Sequence, residues 1–81
     1  MPIKSYLAIP KEGQKEQLQK DISQLGDCEV TPSENKNVLV ILTETANDKE
    51  DKDLFKKLNG LENLQLLTLV SAFSNQSEST N

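Results

Sequence analysis

The hydrophobic pattern at the start of the chain changes from an alternating to a helical period. Residues 3–9 alternate and are predicted to form a strand, which Pro10 ends because proline has no amide hydrogen to offer a neighbouring strand. In residues 11–25 the apolar side chains recur at helical spacing while lysines and glutamates face away, which predicts an amphipathic helix. Gly26 follows as the expected stop.

A hairpin is predicted in the middle of the chain. Residues 27–31 alternate and suit a short edge strand, residues 32–37 form a polar turn, and residues 38–43 form a strand that opens with Val38-Leu39-Val40-Ile41-Leu42. Successive side chains of a strand point to opposite faces, so this aliphatic run is apolar on both. A few helices cover only one face of a sheet, and something else is expected to cover the other.

The second half of the chain again predicts a helix followed by a strand. Asn47 or Asp48 can cap a helix whose acidic first turn suits the positive end of the helix dipole, and residues 63–73 are predicted to form the last strand. The order β-α-β-β-α-β predicts one α+β domain of the ferredoxin-like type over residues 1–73. Right-handed crossovers place both helices on one face of its four-stranded antiparallel sheet. Residues 74–81 are predicted to form a flexible polar tail.

The alternation along each strand assigns its side chains to the two faces of the predicted sheet. The more apolar sets are expected to meet the helices: Ile3, Ser5, Leu7 and Ile9, then Cys28 and Val30, then Val38, Val40 and Leu42, then Leu66, Thr68 and Val70. The polar Thr43 is expected on the wetter face. That open face is predicted to be an apolar patch edged by Lys4 and Glu29, and its members are Tyr6, Leu39, Ile41, Leu67, Leu69 and Phe73. Such patches usually mark interaction sites.

The chain is acidic and contains no arginine. Nine lysines stand against thirteen aspartates and glutamates, for a net charge of −4. A nucleic-acid-binding domain normally carries a basic patch, so nucleic acid is disfavoured as a partner. A basic peptide is the better electrostatic match.

Few side chains that support catalysis or metal binding are present. The absence of histidine rules out Ser-His and Cys-His nucleophiles, and the single Cys28 can form neither an internal disulfide nor a Cys-x-x-Cys metal site. Lysines interleaved among the acidic residues 48–53 argue against a metal loop. Neither an enzyme nor a bound cofactor or metal is expected. The lack of a signal-peptide core or a membrane-spanning stretch predicts a cytoplasmic protein.

A series of short motifs along nearly the whole chain resembles one known family. They are Ser5 in the first strand, Asp27-Cys28-Glu29-Val30 after a helix ending in Leu25-Gly26, the hairpin into residues 38–42, and Leu66-Leu67-Thr68-Leu69-Val70 before a polar acidic tail. This pattern is similar to that of the NapD family. NapD proteins are small cytoplasmic chaperones with a ferredoxin-like fold. They bind the twin-arginine signal peptide of the periplasmic nitrate reductase catalytic subunit and hold back export until its molybdenum cofactor is loaded.

The resemblance implies a peptide-binding chaperone whose ligand is a basic, helical segment lying on the open sheet face. The aliphatic residues Leu39, Ile41, Leu67 and Leu69 would supply apolar contact, while Glu29 or Glu44 would pair with the arginines. Members of the family commonly carry a Tyr-His pair at the end of the last strand, where this chain has Ser71-Ala72-Phe73. Phe73 is therefore expected to make the corresponding contact.

Two other interpretations of an apolar open face stay open. The face can close by homodimerisation, with sheet packed on sheet. Small-molecule-sensing regulatory domains of the amino-acid-binding type have the same order of elements and dimerise to form their site. Their glycine-bearing loop after the first strand is matched only loosely by Pro10-Lys11-Glu12-Gly13.

Overall fold

Six elements make up the structure, a computed structural model that describes residues 2–74. In chain order they are β1 (Pro2–Pro10), α1 (Lys15–Ser23), β2 (Cys28–Pro32), β3 (Leu39–Glu44), α2 (Asp48–Asn59) and β4 (Leu64–Ser74). The predicted order of elements is confirmed. Of the predicted tail over residues 74–81, Ser74 is the last residue of β4 and the remainder lies outside the described residues.

The four strands form one antiparallel sheet in the order β2-β3-β1-β4. Both helices pack on the same face of this sheet, because Leu18 and Ile22 of α1 and Leu54 and Leu58 of α2 share a single core with buried strand residues. The chain therefore has the α+β fold of ferredoxin-like type that its pattern predicts. The opposite face of the sheet carries no helix of the described chain.

Each helix begins where the local backbone allows it. α1 begins at Lys15, later than predicted, because the chain first turns through Gly13, whose φ of 77° lies in the left-handed region that glycine adopts readily. α2 begins after Asn47, whose side-chain oxygen accepts a hydrogen bond from the Glu50 amide at 2.9 Å. This bond satisfies an amide that has no partner within the helix and identifies Asn47 as the cap.

The structure reverses the predicted faces of β1 and β3. The residues it buries against the helices were predicted to be open: Tyr6, Leu39, Ile41 and Thr43, together with Ala8. The residues it places on the other face were predicted to meet the helices: Ile3, Ser5, Leu7, Ile9, Val40 and Leu42. The assignment was wrong by one residue, and because the side-chain period of a strand is two, that slip moves every side chain to the other face.

In residues 66–69 of β4 the predicted faces are likewise exchanged. Leu67 lies opposite Ala8 and packs against the core, although it was predicted to be open. Leu66 and Thr68, predicted to be inward, are exposed. Leu69 lies opposite Tyr6 and therefore on the helix side of the sheet, even though about half of it is exposed.

A β-bulge interrupts the pairing of β4 with β1. Ser5 pairs with Ser71 and Tyr6 with Leu69, so Val70 has no partner on β1 and is exposed. Val70 was predicted to face the helices, and that prediction is wrong. Beyond the bulge the backbone of Phe73 pairs with Ile3.

β2 follows its prediction. Cys28 and Val30 pack against the core, and Glu29 and Thr31 are exposed. Because β2 pairs only with β3, it forms one edge of the sheet, and β4 forms the other.

One ion pair explains why polar side chains can lie beneath the helices. Lys4 Nζ donates to Oδ2 of Asp51 on α2, whose side chain is buried. Thr43 Oγ1 donates a hydrogen bond to the Lys4 carbonyl at 3.4 Å, so this buried hydroxyl has its partner within the protein. Buried polar groups are tolerated when they are hydrogen-bonded, so Lys4 and Thr43 do not mark a wet face.

Substituting two adjacent residues of β3 separates the two faces experimentally. Ile41→Lys puts an unpaired charge into the core and is expected to lower the free energy of unfolding by more than about 3 kcal/mol. Leu42→Lys puts the same side chain on the exposed face and is expected to change it by less than about 1 kcal/mol. Urea unfolding followed by circular dichroism measures both, and equal losses would contradict the assigned faces.

Candidate functional site

The face of the sheet opposite the helices is the candidate site, and we call it the open face. Its members follow from strand register, since Leu7 lies opposite Val40 of β3 and Thr68 of β4, and the other positions alternate from these. The open face consists of Ile3, Ser5, Leu7, Ile9, Glu29, Thr31, Val40, Leu42, Glu44, Leu66, Thr68 and Ser71.

Aliphatic side chains form a strip across the middle of the open face. Leu7 of β1, Val40 and Leu42 of β3 and Leu66 of β4 are all between about one third and one half exposed. Neighbouring strands lie about 4.8 Å apart, so three strands make this strip about 10 Å wide. That width equals the diameter of one α-helix.

Carboxylates border one end of this apolar strip. Glu29 lies opposite Leu42, and Glu44 follows Leu42 by two residues, so all three share the open face. Together with Asp27 they line a shallow cleft of about 340 Å³, which we call the acidic cleft. The backbone fixes its shape, because the Glu44 amide donates to the Asp27 carbonyl at 3.0 Å. None of the open-face positions on the described strands is a lysine.

Glu29 is the one predicted binding residue that the described side chains place on the open face. The others lie elsewhere: Tyr6, Leu39 and Ile41 in the core, Leu67 packed against it, and Leu69 on the helix side. The side chain of Phe73 lies outside the described part of the structure. The aliphatic residues that do lie on the open face, among them Leu7, Val40 and Leu42, were predicted to face the helices. No local sequence signal gives the correct assignment, because the ion pair that explains a lysine beneath a helix joins Lys4 to the distant Asp51.

Cys28 lies at the back of the acidic cleft and has the character of a structural thiol. Its Sγ lies 3.5 Å from the Ile22 carbonyl, to which it donates. Burial raises the pKa of the thiol, and the nearby Asp27 carboxylate raises that pKa further. The thiolate is the nucleophilic form, so these surroundings make Cys28 unreactive at neutral pH.

The described chain offers no metal site or membrane helix. Within residues 2–74 no three histidine, cysteine or acidic side chains converge as a metal ion would require. The longer of the two helices described has 12 residues, and neither could cross a membrane.

On the helix side, the ion pair between Lys4 and Asp51 and the burial of Tyr6 shift the pKa values of Lys4 and Tyr6. The hydrogen bond from Lys4 to Asp51 raises the pKa of the lysine. Burial raises the pKa of the Tyr6 phenol, Lys4 lowers it, and Asp51 raises it. Both groups are thereby held in the state they have at neutral pH, charged for Lys4 and uncharged for Tyr6.

Comparison with known proteins supplies no relative from which a role could be taken. No family model matches the chain, and neither a curated protein nor a solved structure is similar to it. The function is therefore argued from the open face and from the motifs in the sequence.

The raised pKa values of Lys4 and Tyr6 predict an alkaline loss of stability. A group whose pKa is higher in the folded chain stabilises the fold below its ordinary pKa, and that contribution disappears as pH rises through the folded value. The wild-type chain is therefore expected to lose its advantage over the Lys4→Met variant as pH rises above 10.5, the ordinary value for lysine. Tyr6→Phe is expected to remove a second alkaline loss that begins near 10.0.

Urea unfolding at pH values on both sides of 10.5 measures these losses. The double variant, which keeps neither group, serves as the control and should show the weakest alkaline decline. A Lys4→Met variant that declines as steeply as the wild type would contradict the role of the pair.

Proposed function

We propose that the chain is a cytoplasmic assembly chaperone that binds a twin-arginine signal peptide on its open face. Its client is the catalytic subunit of a periplasmic nitrate reductase, and the bound signal peptide is kept from export until that subunit has received its cofactor. The NapD-like segments of the sequence support this function. The structural observation that carries it is the acidic cleft at one end of an apolar strip one helix wide.

A twin-arginine signal peptide has two parts that match the open face in order. A positively charged segment precedes an apolar one, and in this class the positive charge includes an arginine pair. When the apolar segment lies as a helix over Leu7, Val40 and Leu42, the arginines are next to the acidic cleft. The face thus fits both parts of the signal peptide at once, in a single orientation.

The acidic cleft suits arginine better than lysine. A guanidinium group is planar and can form two parallel hydrogen bonds with one carboxylate, and Glu29 and Glu44 supply two carboxylates on neighbouring strands. Exposed ion pairs contribute only about 0.2–1 kcal/mol each. The carboxylates therefore orient the signal peptide, while burial of the apolar strip supplies most of the affinity at about 25 cal/mol per Å².

The apolar contact is tested by two leucines that are about equally exposed on opposite sides of the sheet. Leu42→Lys is expected to weaken binding of a fluorescent twin-arginine signal peptide by at least about tenfold, because it puts a charge under the apolar segment. Leu69→Lys is the control, since Leu69 lies on the helix side, and should leave the affinity unchanged. Fluorescence anisotropy titration measures both.

The charge contact is tested by reversal. The double variant Glu29→Lys with Glu44→Lys is expected to weaken binding about tenfold and to reduce its dependence on salt. Glu62→Lys reverses one charge at an exposed residue of the loop between α2 and β4, outside the strands of the open face, and should have no effect. A peptide with lysines in place of its arginine pair should bind the wild type more weakly.

Sedimentation measurements without peptide test the homodimer. The wild type could form a stable dimer that Leu42→Lys converts to monomers and that the signal peptide does not dissociate. In that case a second copy covers the open face, and the proposed function is wrong. A monomer that binds the signal peptide supports the proposal.

A further inference from the structure

We propose that the edge of β4 that pairs with no other strand of residues 2–74, with the groove between it and α2, binds a short extended segment of another protein that carries apolar and acidic residues. This site is separate from the open face and lies on the helix side of the sheet. It does not depend on the proposed function.

The groove is lined mainly by apolar side chains. It measures about 590 Å³, and its walls are Tyr6 of β1, Phe55 of α2, and Leu67 and Leu69 of β4. The rings of Tyr6 and Phe55 lie with their centroids 6.1 Å apart and are tilted by 32° to each other, which gives the groove an aromatic side. Phe55 and Leu69 are 41% and 52% exposed, so the groove offers large apolar side chains to a partner.

Of the features that usually keep edge strands from pairing, the edge of the sheet beside this groove has only the bulge-type irregularities at Gln65 and Val70, and it lacks the others. β4 contains no charged residue and no proline, whereas β2 at the opposite edge has only five residues, carries Glu29 and ends at Pro32. Charge, proline and short length are the usual protection of an edge. β4 is therefore the edge to which an incoming strand can add.

The straight part of the β4 edge is short. Gln65 and Val70 both lack partners on β1, so regular pairing runs over residues 66–69 between two irregularities. At about 3.3 Å per residue this stretch is about 13 Å long. It matches a short peptide strand better than a second copy of an 11-residue strand.

The charges at the rim decide the chemistry of the partner. Lys52 and Lys56 of α2 line the groove, and its one carboxylate, Asp51, is already paired with Lys4. Within residues 2–74 neither Lys52 nor Lys56 forms an ion pair. Two copies paired through β4 would bring these lysines of both chains towards each other, which disfavours a homodimer. An acidic segment would be attracted.

A fluorescent heptapeptide, Asp-Thr-Val-Thr-Val-Thr-Asp, tests the proposal. Alternation puts its two valines and two aspartates on the same side, facing the groove and the lysines. It is expected to bind the wild type weakly, on the order of 100 μM. It should also slow the hydrogen exchange of those amides in residues 66–69 that do not pair with β1. Absence of saturation at millimolar peptide, or protection elsewhere only, would overturn the proposal.

Reversing the charges of Lys52 and Lys56 tests whether these lysines attract the heptapeptide. Lys52→Glu with Lys56→Glu is expected to weaken binding of this heptapeptide about fivefold and to favour a version with lysines in place of the aspartates. Lys57→Glu changes the same helix away from the groove and should have no effect. An equal loss in the Lys57→Glu variant would show nonspecific attraction and contradict the assigned rim.

Two further variants separate this site from its alternatives. Leu42→Lys should leave heptapeptide binding unchanged, and a loss would place the heptapeptide on the open face instead. If the wild type dimerises and Leu69→Lys makes it monomeric, the β4 edge is occupied by a second copy, and the proposed partner is wrong.

Discussion

The coverage of the sheet is the constraint on which the rest of this structure depends. Residues 2–74 provide four strands and two helices, and the helices form one layer on one side. The strands nevertheless carry aliphatic residues on both sides. In β3 buried and exposed positions alternate, yet the exposed positions Val40 and Leu42 are aliphatic as well. Burial of apolar surface is the main force that stabilises a small domain. The exposed aliphatic residues of the open face therefore contribute little to the core, and they are available to the partner proposed above.

The order of elements could be predicted from the sequence because each element has a strong local signal. Helical spacing, an asparagine cap and a proline at the strand end depend on neighbours a few residues apart. The faces of the strands could not be predicted in the same way. β1 offers Leu7 on one side and Tyr6 on the other, and hydrophobicity alone favours the wrong set. The deciding facts are the Lys4–Asp51 pair and the fully buried Ala8, which both depend on residues more than 30 positions apart.

The candidate site shows the same division. Glu29 could be predicted on the open face because β2 is a short edge strand in which apolar and polar residues alternate clearly. Leu7, Val40 and Leu42 could not, since nothing local distinguishes an aliphatic residue under a helix from one facing outward. The β4 bulge adds to the difficulty, because simple alternation does not continue through Val70. An apolar open face bordered by Glu29 nevertheless results from both assignments, since the sheet is aliphatic on both sides.

The alternation of β3 has an evolutionary consequence. If Val40 and Leu42 make the proposed contacts, successive codons along this strand are under different selection: Leu39 and Ile41 for the persistence of the native state, Val40 and Leu42 for the surface that the partner contacts. A substitution at one codon lowers the amount of intact molecule, while a substitution at the next leaves that amount and alters recognition. Divergence among descendants of this chain should therefore follow a rhythm of two residues along β3, with new specificities arising at every second position.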